Sequence, residues 1–443
     1  MTDLLIRGAA MLGEHTEDLR IRGGLIAARG ALTAESDERV IDARGLIALP
    51  GLVDLHTHLR EPGGEASETV LTGTRAAAAG GFTAVHAMAN TSPVADTAGV
   101  VEQVQRLGER HGYAEVRPIG AVTVGLAGEQ LAEIGAMARS IARVRVFSDD
   151  GHCVHDALLM RRALEYVATF DGVVAQHSQE PRLTVGAQMN EGVLSGELGL
   201  TGWPAVAEES IIARDVLLAE HVDARLHVCH VSTAGSVDVL RWAKARGIAV
   251  TAEVTPHHLL LTEQLARGYD ATFKVNPPLR CDEDVHALRA ALADGTIDIV
   301  ATDHAPHPAE AKECTWAEAA FGMVGLESAL SVVQQAVVDT GMIAWSDVSR
   351  VLSTAPARIG RLDGYDHPLE IGSPANIVLI DPSHARAWGV NDLRGRSINS
   401  PYLGRQLPGR VVHTVHRGVI TVDDGVLVDA EVVAARHQEV ARG

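Results

Sequence analysis

The stretch GLVDLHTHLREPGG, residues 51–64, runs from a short apolar segment into two histidines, His56 and His58, and an arginine, Arg60. On a β-strand, residues two apart face the same side, so a strand continued to residue 60 aims all three side chains at one point. A histidine pair at this spacing is also common on surfaces and in cores. What surrounds it decides the reading.

Short β-rich apolar runs follow one another downstream: GLVDLH (51–56), FTAVHAM (82–88), VRPIGAV (116–122), RVRVFS (143–148), GVVAQH (172–177), RLHVCH (225–230), IAVTAEV (248–254) and IDIVATD (297–303). Between them lie helix-forming stretches rich in alanine and leucine, such as ETVLTGTRAAAAGG, DALLMRRALEYVATF, AEESIIARDVLLAEH and SVDVLRWAKARG. Eight strands in βα order predict an α/β protein with a closed (β/α)8 barrel over residues 51–368. Residues 1–50 and 369–443 differ, with brief alternating runs separated by glycine turns. They predict a small β-domain built from both chain ends.

Composition narrows the function. Of the 443 residues 46% are hydrophobic, enough for a large core. The net charge of −19 leaves no basic face for nucleic acid or an anionic membrane. An anionic substrate must therefore be captured by a few local arginines. Four cysteines without a CxxC pair fit a reducing compartment. No signal-peptide pattern opens the chain and no run nears 18 apolar residues, so the expected location is the cytoplasm.

The polar residues collect at strand ends. Strand one ends in His56 and His58, strand four in Asp149 and Asp150, and strand five in His177. Strand six ends in His227 and His230, and strand eight in Asp303, His304 and His307. C-terminal strand ends of such a barrel form the face where active sites are built. Each residue has a plainer reading: a histidine satisfied by a backbone carbonyl, or Asp150 starting a turn before Gly151. His152, His155 and His221 read as surface, and Cys229 as core. Five strands ending in metal-type ligands on one face outweigh these readings. Imidazoles with carboxylates suit a divalent ion, with zinc first.

VDLHTHLREPGG, MANTSPVAD, HVCHVST, TAEVTPHHLLL, KVNPPLR and ATDHAPH together resemble the amidohydrolase superfamily, and within it the long-type bacterial dihydroorotases. The likeness runs from about Pro50 to Gly325. It implies zinc-dependent interconversion of N-carbamoyl-L-aspartate and L-dihydroorotate, a small anionic substrate, in pyrimidine synthesis. By resemblance, His56 and His58 bind one zinc and His177 and His230 a second, two zinc ions per subunit, and Asp150 bridges the two or completes the first site. Asp303 approaches the first and is the catalytic base. Substrate binding falls to His58, Arg60, Asn90, Asn276, His307 and the Phe321–Gly322 backbone. The segment from His304 to Gly325 is expected to fold over the site. The resemblance also brings a homodimer, or a complex with aspartate transcarbamoylase, as expected partners.

One position departs from the pattern: Ala89 stands where proline is expected before Asn90. Two rival readings are considered. Hydantoinases, dihydropyrimidinases and allantoinases typically bridge their metals with a carboxylated lysine after strand four, and RVRVFSDDG has none. A non-catalytic structural partner of aspartate transcarbamoylase is expected to lose ligands, whereas this chain keeps them.

Overall fold

Gly51 separates two architectures in the computed structural model, which describes residues 3–365 and 367–440. Before it lie β1 (Leu4–Met11), β2 (His15–Arg22), β3 (Leu25–Gly30), β4 (Arg39–Asp42) and β5 (Ile47–Pro50). After it the chain passes directly into β6 (Leu52–Thr57). Any Cβ at position 51 would sit 2.2 Å from Thr83 Oγ1, so this close passage requires glycine.

The barrel continues with β7 (Phe82–Ala87), β8 (Glu115–Pro118), β9 (Val146–Phe147) and β10 (Val173–Gln176). A short side pair follows, β11 (Met189–Asn190) and β12 (Gly202–Trp203), then β13 (Leu226–Val228), β14 (Val250–Val254) and β15 (Ile299–Val300). β6–β7–β8 form one parallel group and β9–β10–β13–β14–β15 another. Parallel bridges Gly120–Phe147 and Thr57–His304 join the groups at both edges and close the eight strands. Asp54 reinforces one seam: its carboxylate accepts from the backbone N–H groups of His56 and Thr302 and from the Thr302 hydroxyl.

Helices return the chain between strands. Thr69, Asp156 and Thr233 cap Val70–Ala79, Ala157–Ala168 and Ala234–Ala245, each side chain accepting an N–H of the first turn. Inside the barrel Leu55, Met88, Ile119, Val146, Val173, Ala175, Cys229, Ile299 and Ala301 make a dry plug. A larger apolar layer, including Phe82, Val85, Val174, Val228 and Val300, packs between strands and helices. With the bottom filled, only the top can hold a site.

The two chain ends share one sheet. β16 (Ile377–Ala387), β17 (Gln406–His416), β18 (Val419–Asp423) and β19 (Val426–Leu427) continue it in the order β19-β18-β17-β16-β5-β1-β2-β3, with β4 beside β1. The join is antiparallel pairing of β5 with β16, Ile47 facing Ile380 and Pro50 facing Ile377. Among the described residues no helix is long and apolar enough to cross a membrane.

Candidate metal centre and active-site cleft

At the mouth, Asp150 lies between two groups of ligand atoms. Its Oδ2 is 3.3 Å from His56 Nε2 and 3.4 Å from His58 Nε2. Asp303 Oδ1 joins them at 3.4 Å from His56 Nε2 and 3.0 Å from His58 Nε2. Asp150 Oδ1 is 3.1 Å from both His177 Nδ1 and His230 Nε2, and those two nitrogens are 2.9 Å apart. One carboxylate thus contributes an oxygen to each of two donor sets: His56, His58, Asp150, Asp303, and Asp150, His177, His230.

The sets fit metal ions. Tetrahedral bonds of ~2.0–2.1 Å place neighbouring ligand atoms about 3.3 Å apart, close to these separations. Three of the histidines are also anchored from behind. His56 Nδ1 is 2.6 Å from Glu253 Oε1, His58 Nδ1 is 2.9 Å from Asn90 Oδ1, and His177 Nε2 is 2.7 Å from Gln179 Oε1. Each acceptor can take the ring's far N–H, and in the neutral ring this leaves the lone pair on the nitrogen facing the centre. His56 Nε2 is buried without a hydrogen-bond partner, as a ligand atom awaiting a cation would be.

Charge is concentrated here. Burial works against the cationic form of His56, yet Asp150, Glu253 and Asp303 raise its pKa well above the usual range. Burial likewise opposes ionisation of Asp150, but His56 and the bonds from His177 and His230 hold its carboxyl well below the usual range. Asp303 is held at about 2, with burial opposing and His56 and His58 prevailing.

Above the centre opens a cleft of about 260 Å³. Every expected substrate residue lines it: His58, Arg60, Asn90, Asn276, His307, Phe321 and Gly322. Arg60 Nε donates to the Pro306 carbonyl at 3.2 Å, which ties its guanidinium to the far wall. His307 bonds the Phe321 carbonyl at 2.8 Å through Nε2; burial first, then Arg60, lowers its pKa to about 3, so the ring is neutral. Residues 305–322 cover one side of the cleft. Lys274 and Lys312 anchor this cover, donating to the carbonyls of Trp316 and Ala320 at 2.6 and 2.8 Å.

One expectation needs correction. Strand β6 ends at Thr57, so strand alternation does not extend to Arg60. Arg60 reaches the cleft through a left-handed turn at φ +62° instead. His230 and Asp303, at φ +32° and +45°, are likewise turned by the backbone after their strands end. His227 and His304 stand outside the centre. His227 lies below the mouth against Thr251 and Glu253, and His304 bonds Glu68 and the backbone of Gly325. Cys229 sits within 4.8 Å of His56 and Glu253, but His56 Nδ1 is already engaged there and burial pushes the thiol far up. Glu253 and Gln179 escaped the sequence reading, because a glutamate inside a strand and a glutamine after one carry no spacing signal. Asp149 turns from the site and accepts from Val122 N, Thr123 N and the Thr123 hydroxyl.

Residues 45–236 match the model of dihydro-orotase-like proteins and residues 204–421 that of the amidohydrolase family. A dihydroorotase of Leifsonia xyli is 72% identical over 96% of this chain and 97% of its own length. The chain belongs to the dihydroorotase family. Family members from Streptomyces coelicolor and Mycobacterium tuberculosis are 65% and 53% identical, over 96% and 95% of this chain and 100% and 99% of theirs. Among solved structures, an L-hydantoinase (dihydropyrimidinase) from Arthrobacter aurescens superposes with a TM-score of 0.85 at 22% identity, over 97% of this chain and 98% of its own. A dihydropyrimidinase from Brevibacillus agri gives 0.83 at 24%, over 96% of each chain. These two share the fold of the barrel and the flanking sheet. The family assignment rests on the dihydroorotases.

Proposed function

We propose that this dihydroorotase-family chain closes N-carbamoyl-L-aspartate to L-dihydroorotate, reversibly, at a centre of two zinc ions. The observation that carries the reading is Asp150, whose two oxygens each face a different donor set. Two cations a few ångströms apart repel, so a shared anion between them is what such a centre needs. His56, His58 and Asp303 would hold one ion and His177 and His230 the other. Zinc when bound lowers the pKa of water to about 7 and polarises a carbonyl as a Lewis acid.

The chain's own groups supply the rest. Arg60 offers a planar fork for the substrate carboxylate, which a lysine's point charge would not match. Asn90 and Asn276 both line the cleft, and Asn276 Oδ1 has no internal partner. In the hydrolytic direction Asp303 takes the proton of the attacking water and returns it to the ring nitrogen as the amide C–N bond breaks. In the biosynthetic direction it takes the ureido proton as the nitrogen bonds to the carbon of the protonated side-chain carboxyl group, and gives it to the hydroxyl as the C–OH bond breaks and water leaves. Residues 305–322 wall one side of the cleft, and any water that this wall and a bound substrate displace strengthens these interactions.

The test is turnover of dihydroorotate beside hydantoin and dihydrouracil, with zinc content measured on the same preparation. Dihydroorotate should dominate, with two zinc ions per chain. Preference for a neutral ring would move the chain to the hydantoinase reading, and no turnover despite full zinc would favour a structural role.

A further inference from the structure

Glu253 lies on β14 inside the barrel and is wholly buried. Its Oε1 accepts from His56 Nδ1 at 2.6 Å and from the backbone N–H of His230 at 3.2 Å. Its Oε2 faces His227 Nε2 at 3.0 Å, and His227 Nδ1 rests on Thr251 Oγ1 at 2.9 Å. Among the described residues its ion-pair partners are these two histidines alone, without an arginine or lysine. Burying a carboxylate costs free energy that its partners must offset, and here those partners are two imidazoles and a backbone N–H. A barrel plug would be better built from the apolar residues that surround it. The expense is explained if the charge acts through His56 on something cationic at the mouth.

One ligand from each donor set touches this carboxylate. Through His56 Nδ1 it fixes the ring's orientation and leaves Nε2 facing Asp150 and Asp303. Through His230 N it holds the backbone where φ is +32° and the imidazole turns toward Asp150 Oδ1. We infer that Glu253 is the positioning residue that keeps the two halves of the metal centre in register. This rests on the reading that the centre binds zinc.

The experiment titrates zinc alone into metal-depleted full-length protein against a chromophoric chelator, following two binding steps. Glu253→Gln keeps an oxygen for His230 N–H but loses the charge behind His56. One step should weaken about 10- to 100-fold, the range for removing such an outer partner, and the other should stay within twofold. Glu253→Ala, which frees both ligands, should weaken both steps. In a His56→Ala background, adding Glu253→Gln should change zinc affinity less than twofold, whereas a merely structural residue would add its full effect. If Glu253→Gln does not fold, Glu253→Asp, whose shorter side chain withdraws from His56, is read by the same single-step criterion. Wild type that binds zinc in two steps, with both steps unchanged in the folded variant, overturns the inference. Wild type that binds no zinc overturns the metal-centre reading itself.

Discussion

His56 and His86 sit on neighbouring strands, β6 and β7, and are 0% and 2% exposed. Burial acts on both in the same direction. In the barrel wall His86 has only the Asp54 carbonyl on Nδ1 at 3.2 Å, with Arg117 nearby; burial first, then that arginine, lowers its pKa to about 4. At the mouth, three carboxylates reverse the outcome for His56. A buried imidazole therefore marks a cation site only where anions converge on it. His56 has carboxylates on both sides, Glu253 behind and Asp150 and Asp303 in front.

Removing the shared anion should break this contrast most completely. Asp150→Ala withdraws an oxygen from both donor sets, so zinc content should fall sharply and turnover approach the background rate. Asp149→Ala, one residue away, should keep zinc and lose stability, because two backbone N–H groups are left without an acceptor at about 1–3 kcal/mol each. Zinc analysis and chemical unfolding of the pair separate the roles. Equal loss of zinc in both would refute the assignment of Asp150 as the bridge. Wild type rebuilt with zinc should also reach full activity without bicarbonate, since no lysine has to be carboxylated.

Next in size is Asp303→Asn. The amide keeps an oxygen for weak coordination but cannot carry the proton. Zinc content should hold while turnover drops about 10²–10⁴-fold, the usual worth of one general base. Near-normal turnover would assign the proton transfer to another group.

Arg60→Met tests the rim instead of the centre. Hydrogen bonds between charged groups contribute about 1.5–3 kcal/mol, so kcat/KM for dihydroorotate should fall by roughly 10- to 100-fold. Arg60→Lys should restore only part of it. Neutral cyclic amides should be spared, and an equal loss with them would show that Arg60 does not clamp the carboxylate.

What could be read beforehand follows the same division. The eight strands were legible because apolar runs and helical stretches alternate over some 250 residues. Both chain ends joined one sheet as expected, since their short glycine-punctuated runs share a pattern. The ligand row was legible where residues sit on or beside a strand end, as His56, His58 and His177 do. Strand alternation alone does not deliver Arg60, His230 and Asp303, which the strand ends and the resemblance had pointed to; they reach the site through positive φ after their strands end. His227 and His304 matched the pattern and lie outside it, while Glu253, the carboxylate behind His56, had no pattern to betray it.

The remaining expected effect belongs to His86, away from catalysis, and it sharpens the contrast from the wall side. With a folded pKa of about 4 against 6.5 when unfolded, the native ring stays neutral while the unfolded ring gains a proton. Between those values the unfolded state binds more protons, so stability must rise with pH and fall on acidification. At one pKa unit per 1.36 kcal/mol, this histidine alone should remove about 3 kcal/mol between pH 7 and pH 4. In a chain of 443 residues that is a shift of only a few degrees in the unfolding midpoint. His86→Asn keeps a donor for the Asp54 carbonyl and has nothing to titrate. Its unfolding free energy, measured by denaturant on the metal-free protein across this range, should depend on pH less steeply than wild type by up to one proton. An unchanged slope would mean that the wall histidine is charged in the fold, and that carboxylates are not what distinguishes the mouth.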